Sequence, residues 1–299
     1  MSRPGRLTVG VVGAGKVGAV LGAALARAGH HVVAASGISE ESRSRIDALL
    51  PGAKHEDPEA VVRAAELVLL AVPDDSLAAV AAGLRTLGAW RPGQIVMHAS
   101  GRYGTEVLAD ASASGAIPLA IHPAMTFTGT SMDLARLADA TFAVSAATPV
   151  LPIAQALTVE MGGEPLVIAD ADRAAYHAAL VHGANHVVTA VTQAAATLAR
   201  MGVDEPGRVL GPLVHASVEG ALSEAPGAVA TLTGPVVRGD AGTVAAHLAA
   251  LDGQPETLAA YRAMARATAD LALSGGRIGP AAYADIIATL GVEDWSAGS

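Results

Sequence analysis

Apolar and polar positions run in blocks along the first 170 residues, and each block has a readable period. Residues 7–12, LTVGVV, form a short apolar run of strand type. The glycine turn GAGKVG (13–18) follows, then the alanine-rich helical pattern AVLGAALARAG, with Gly29 as its stop. HHVVAAS (30–36) reads as the second strand. The series continues with AELVLLAVPDD (65–75), QIVMHASG (94–101), AIPLAIHP (116–123), ATFAVSA (140–146) and EPLVIAD (164–170), several of them separated by helical patterns. Strands alternating with helices predict an α/β fold with a doubly wound parallel sheet. After Asp170 the strand signals stop. Residues 171–202 read as one long helix, capped by Asp170 or Asp172 and ended near Gly202. Further helices are expected around 205–223, 241–251, 255–273 and 280–290. The expected organisation is a sheet domain over 1–169 and an all-α domain over 170–299. No Gly/Ser-rich linker separates them, so the last strand should pass directly into the long helix.

Composition narrows the class. The 299 residues are 52% hydrophobic and 16% charged, ample for a core and far from a disordered composition. The net charge of −9, without basic runs, argues against nucleic acid and anionic membranes as partners. Without cysteine the chain has no disulfide, thiolate metal site or thiol nucleophile. No signal peptide and no purely apolar stretch of spanning length is read, so a cytoplasmic protein is expected. Lysine occurs only at positions 16 and 54.

The first turn carries the clearest chemistry. Gly13, Gly15 and Gly18 match G-x-G-x-x-G between a strand and a helix, the context that makes the motif credible. Gly13 allows the tight turn, Gly15 lets the backbone approach a pyrophosphate, and Gly18 lets the helix lie against the strand. Ala14, Lys16 and Val17 complete the loop, whose helix N-terminus offers free amides to phosphate. The sheet is therefore read as a doubly wound Rossmann sheet. The second strand ends AASGISEESRSR, with Ser36 where an NAD site usually has an acid. Ser39, Arg43 and Arg45 lie just beyond, which favours NADP(H) as cofactor.

Ligands of such sheets lie beyond the carboxyl ends of the strands. Val72, Pro73 and Asp74 follow one strand, His98 and Ser100 end the next, and His122 the one after. Ser100 and His122 are the stronger candidates, since His98 can point into the sheet. The long helix adds His177, His182, Asn185 and His186. At 100° per residue His177, Asn185 and His182 share a broad face, and an amide buried in an apolar helix would need partners. His182 and His186 have i,i+4 metal-ligand spacing, but no H-E-x-x-H motif surrounds them, and no metal is expected. In LTGPVVRGD (232–240), Asp240 is placed to cap the following helix and Gly239 to permit a sharp turn. Arg238 is read as a clamp for a substrate carboxylate.

In order, the glycine fingerprint, VLLAVPDD, HASG, AIHPAMTF, YHAALVHGANH and LTGPVVRGD resemble the NADP-oxidoreductase-like proteins with an N-terminal Rossmann domain and a C-terminal helical domain of unknown function. These look like relatives of ketopantoate reductase, pyrroline-5-carboxylate reductase and the 3-hydroxyacid dehydrogenases, in the 6-phosphogluconate dehydrogenase-like superfamily. The resemblance covers nearly the whole chain. It implies a dinucleotide at Gly13, Gly15 and Gly18, a substrate between the domains, and a homodimer through the helical domain. One departure is sharp: ketopantoate reductases and hydroxyacid dehydrogenases carry a lysine four residues before the asparagine matched by Asn185, and here that position is Val181. The expected activity is NADPH-dependent reduction of a small carboxylate-bearing ketone or imine. Asn185 would polarise the acceptor, His177 would donate the proton in preference to His122 or His182, and Arg238 would anchor the carboxylate beside Asp240. The alternatives are a non-catalytic NADP(H) sensor and, last, an NADP/deazaflavin hydride exchanger.

Overall fold

The computed structural model describes residues 5–225 and 227–291. Two compact units divide the chain, one up to His182 and one from Gly183. The break falls inside the long helix rather than at residue 169. The first unit runs β1 (Thr8–Val12), α1 (Lys16–Arg27), β2 (His31–Ser36), α2 (Glu40–Leu49), β3 (Lys54–His55), α3 (Pro58–Ala64), β4 (Leu67–Leu70), α4 (Leu77–Thr86), β5 (Ile95–His98), α5 (Ala109–Ser112), β6 (Ile117–Pro123), α6 (Asp133–Arg136), β7 (Thr141–Ser145), α7 (Leu151–Glu160) and β8 (Glu164–Val167).

Its eight strands lie in the order β3-β2-β1-β4-β5-β6-β7-β8. The first six positions are the doubly wound order, with the chain reversing direction across the sheet between β1 and β4. Leu67 and Leu69 pack into one core and Val68 and Leu70 into another, all fully buried. Both faces are thus covered, which is why the strands read as unbroken apolar runs. The expected all-parallel sheet needs one correction: β6 and β7 pair antiparallel. Between them α6 is four residues long, about 6 Å.

A single helix, α8 (Arg173–Arg200), passes from the first unit into the second. The second unit continues with α9 (Pro206–Ser223), α10 (Ala241–Ala250), α11 (Pro255–Ser274) and α12 (Pro280–Leu290). Its core gathers Val236, Val244, Ala265, Ala269, Ile286 and Leu290. No helix among the described residues is long and apolar enough to cross a membrane.

Candidate functional site

The glycine turn sits at the carboxyl end of β1, at the reversal of strand order. Gly13 has φ +91°, open only to glycine without strain. A Cβ on Gly18 would meet the Gly13 carbonyl oxygen and come within 2.9 Å of the Ala71 Cβ, so α1 lies directly on the strand ends. At Gly15, by contrast, a Cβ would meet nothing within 4 Å. Gly15 is also the N-cap of α1 and carries no side-chain cap, so the amides of the first turn have no side-chain acceptor there. Open space in front of uncapped amides is the cradle a pyrophosphate needs.

The residues expected around this cradle divide into groups. Ser36 is buried, and its Oγ accepts from the Gly13 amide at 3.2 Å. It shapes the loop, and its carbonyl accepts from the Ala14 amide at 2.8 Å, so the end of β2 is tied to the turn beside it. Ser39 caps α2, accepting from the Ser42 amide. Arg43 is exposed and folds over the β2–α2 loop, donating to the carbonyls of Gly37 and Ile38. Lys16 and Arg45 flank Gly129, whose missing Cβ would lie 2.9 Å from Lys16 Cγ and from Arg45 Nε. Val72 and Pro73 follow β4 at the same edge of the sheet, with Val72 Cγ1 3.1 Å from where a Gly13 Cβ would stand.

A second cluster lies at the ends of β5 and β6. His98 is fully buried. Its Nε2 donates to the Gly104 carbonyl at 2.8 Å, and its Nδ1 accepts from the Ser100 amide at 3.1 Å. Both ring nitrogens are committed, and burial pushes its pKa down to about 4. Ser100 is 5% exposed, with its Oγ accepting from the amides of Arg102 and Tyr103. The side chain expected beside a cofactor ring instead builds the turn after β5. Gly101 follows, so tightly placed that a Cβ would lie 2.8 Å from His177 Cδ2 and 2.9 Å from His122 Nε2.

His122 is half-buried, with Nδ1 3.0 Å from the hydroxyl of Tyr176. Its ring also meets that of His177 edge-on, centroids 6.1 Å apart. Burial, then the charge of Arg173, holds its pKa at about 4. An imidazolium acid at His122 is therefore corrected: the ring is neutral at neutral pH. Tyr176 and Arg173 had no place in the sequence reading. Arg173 is 1% exposed and forms no ion pair among the described residues. Its Nε donates to Ser145 Oγ at 2.8 Å, and its terminal nitrogens donate to the carbonyls of Ser100, Ala120 and Ala143. Arg173, Tyr176 and His177 stand at i, i+3 and i+4 in the first turns of α8, so they share one face. That spacing was the available signal.

In the second unit Asn185 is exposed, which corrects the expectation of a buried amide seeking partners. Thr189, one turn on, bonds to its backbone carbonyl. Asp240 caps α10 as expected, with Oδ1 accepting from the Thr243 amide at 3.0 Å and Oδ2 from the Thr243 hydroxyl at 2.6 Å. No hydrogen bond joins Asp240 to Arg238 among the described residues; after the Thr243 hydrogen bonds, the nearby Arg238 charge helps hold the Asp240 carboxyl below its usual pKa. Gly239, at φ +69°, makes the turn before the cap. Arg238 is exposed.

Strand order, glycine turn and doubly covered sheet define the first unit as a Rossmann domain. Family comparison agrees: residues 1–123 match the Rossmann-like domain, and residues 140–268 match a domain of unknown function, DUF2520. The two matches follow one another along the chain, a Rossmann-like domain and then DUF2520. No curated protein matches it. Among solved structures, a candidate NADP oxidoreductase from Bacteroides fragilis superposes with a TM-score of 0.75 at 21% identity, over 89% of this chain and 98% of that one. An imine reductase from Pseudomonas sp. gives 0.61 at 19% identity, over 88% and 93%. The pyrroline carboxylate reductase of Plasmodium falciparum, solved with NADP bound, gives 0.57 at 13% identity, over 95% and 99%. These likenesses are likenesses of fold.

Proposed function

We propose that the chain is an NADP(H)-dependent oxidoreductase that reduces a small carboxylate-bearing ketone or imine. The observation that carries this reading is a coincidence on one sheet edge. The glycine cradle after β1 and the half-buried His122–Tyr176–His177 cluster share that edge, three strand spacings apart, or roughly 14 Å. An extended dinucleotide fits such a span. Solved structures of similar fold include an imine reductase and a pyrroline carboxylate reductase solved with NADP bound, which supports the same chemistry.

The backbone of Gly13–Gly18 and the first amides of α1 would hold the pyrophosphate, with Lys16 beside them. Arg43 and Ser39, at the β2–α2 loop, would meet a 2′-phosphate. The nicotinamide would supply a hydride. Asn185, matched through the family resemblance, would be the polarising amide, and Arg238, read from its isolated charge beside the helix cap, the carboxylate anchor. The homodimer through the helical unit is supported by α9: none of its residues is buried, while Val209, Leu213 and Leu222 are exposed. Large apolar side chains exposed on a helix with no buried residue mark a surface that is normally covered.

Following NADPH absorbance with the purified chain across a panel of keto acids and cyclic imines tests the activity. Oxidation with one of them, and little with NADH, is expected. A single observation favours a second reading, an NADP(H) sensor without turnover: Val181 stands where ketopantoate reductases carry their lysine. Tight NADPH binding with no oxidation across the panel would select it.

A further inference from the structure

We infer that Tyr176 is the group that protonates the reduced substrate, its phenol held by His122 and backed by the buried charge of Arg173. This rests on the reductase reading above and names its acid, in place of His177.

Geometry comes first. The Tyr176 hydroxyl lies 3.0 Å from His122 Nδ1, and the two rings meet edge-on at 84°. The phenol is thus fixed by a partner on β6, a strand of the sheet edge that faces the ligand side. His177 makes no hydrogen bond among the described residues, so nothing comparable holds its ring in register. Arg173, one turn before Tyr176, spends its hydrogen bonds on neutral oxygens only. A buried cation paired with neutral dipoles keeps its field, which favours negative charge on a neighbouring group. The charged and titratable neighbours are few. Arg173, His177 and His98 act on His122, and Arg173 acts on Tyr176, while Asp170 and Glu106 act on Arg173.

Protonation states agree with the roles. Burial raises the pKa of Tyr176, so the phenol is protonated and can serve as an acid. His122 is neutral and has one N–H to place. With that hydrogen on Nδ1, the imidazole donates to the phenol oxygen and leaves the phenol O–H free to face a substrate.

The step balances for a ketone or a neutral imine. A dihydronicotinamide, the reductant, delivers hydride to the carbonyl or imine carbon and is oxidised to the pyridinium. The π pair moves to the oxygen or nitrogen, the Tyr176 O–H bond breaks, and a substrate O–H or N–H bond forms. The phenolate left behind accepts from His122 Nδ1–H and faces the Arg173 charge. Water then returns the proton.

The test uses the full chain with ¹⁵N-labelled histidine, the variant Tyr176→Phe, and Tyr283→Phe as a control in the second unit. Three results are expected. His122 carries its proton on Nδ1 at pH 7. Tyr176→Phe binds NADPH within about twofold of the parent. Its single-turnover reduction of a ketone falls by about 100-fold or more, the usual scale for a lost general acid, while the control is unchanged. Turnover by Tyr176→Phe within threefold of the parent, or a His122 proton on Nε2, overturns the assignment. A parent chain that binds NADPH but reduces nothing fails the reductase reading instead, and the His122 tautomer then still decides whether the phenol is presented as described.

Discussion

Gly15 and Gly18 stand three residues apart in one turn, yet a methyl group would do different things at each. At Gly15 it would project into open space, and the cost is only that of alanine for glycine at an N-cap, under about 1 kcal/mol. At Gly18 it would drive into the Gly13 carbonyl and the Ala71 side chain. Gly15→Ala is therefore expected to keep its urea midpoint close to the parent's and lose NADPH binding. Gly18→Ala is expected to lose about 1–3 kcal/mol of stability as well. Equal loss of stability in both would mean the space before Gly15 is not reserved for a ligand. The histidines make a second prediction. His98 and His122 have folded pKa values near 4, below the ordinary 6.5, because burial disfavours the charged ring. The unfolded chain binds these protons first as pH falls. Their contribution is full above pH 6.5 and is lost as pH drops toward 4. Urea titrations should show stability falling with acid across that window, by up to about 2.7 kcal/mol per pH unit from the pair. His98→Asn should be less stable at pH 7, since Gly104 and Ser100 lose their partner, but should flatten the slope by about one proton. An unchanged slope would mean His98 is charged in the fold.

Among the elements, the strands of the first unit were the most legible. Runs such as Leu67–Leu70 are buried on both faces, and that leaves a continuous apolar signature. β3 escaped notice because it is two exposed polar residues, Lys54 and His55, recruited only by the edge of β2. The antiparallel β6–β7 pair was illegible for another reason: period marks a strand but says nothing of its direction. The start of α8 was read as a helix with histidines, while its working face was missed. Arg173 drew no reading from the sequence, and only the fold takes it 1% exposed beneath Ser100 and Ala120. Asn185 misled in the opposite sense, since an apolar surrounding in sequence did not bring burial. The cap of α10 was fully legible, because Asp240 followed by Thr243 carries its hydrogen-bonding logic locally. Asp240→Ala is expected to cost about 1 kcal/mol, within a range of about 0.5–2 kcal/mol, measured as a shift in the urea midpoint. A shift below a few tenths would show that the cap is redundant.

Taken as a molecule, the chain joins a well-filled Rossmann domain to a helical unit with much apolar surface left open. Val188, Leu213 and Leu222 are each more than half exposed. If a second copy covers this surface, sedimentation velocity should give twice the chain mass, and Leu213→Glu should shift the boundary toward monomer while NADPH affinity in the first unit changes little. A parent that sediments as a monomer at micromolar concentration would contradict the dimer. All of the chemistry proposed above depends on what the β1–α1 turn holds. Isothermal titration of the purified chain with NADPH and NADH addresses that directly. The expected result is one saturable site per chain, tighter for NADPH than NADH, and absent in Gly15→Ala. No heat with either coenzyme, or equal binding by Gly15→Ala, would contradict it.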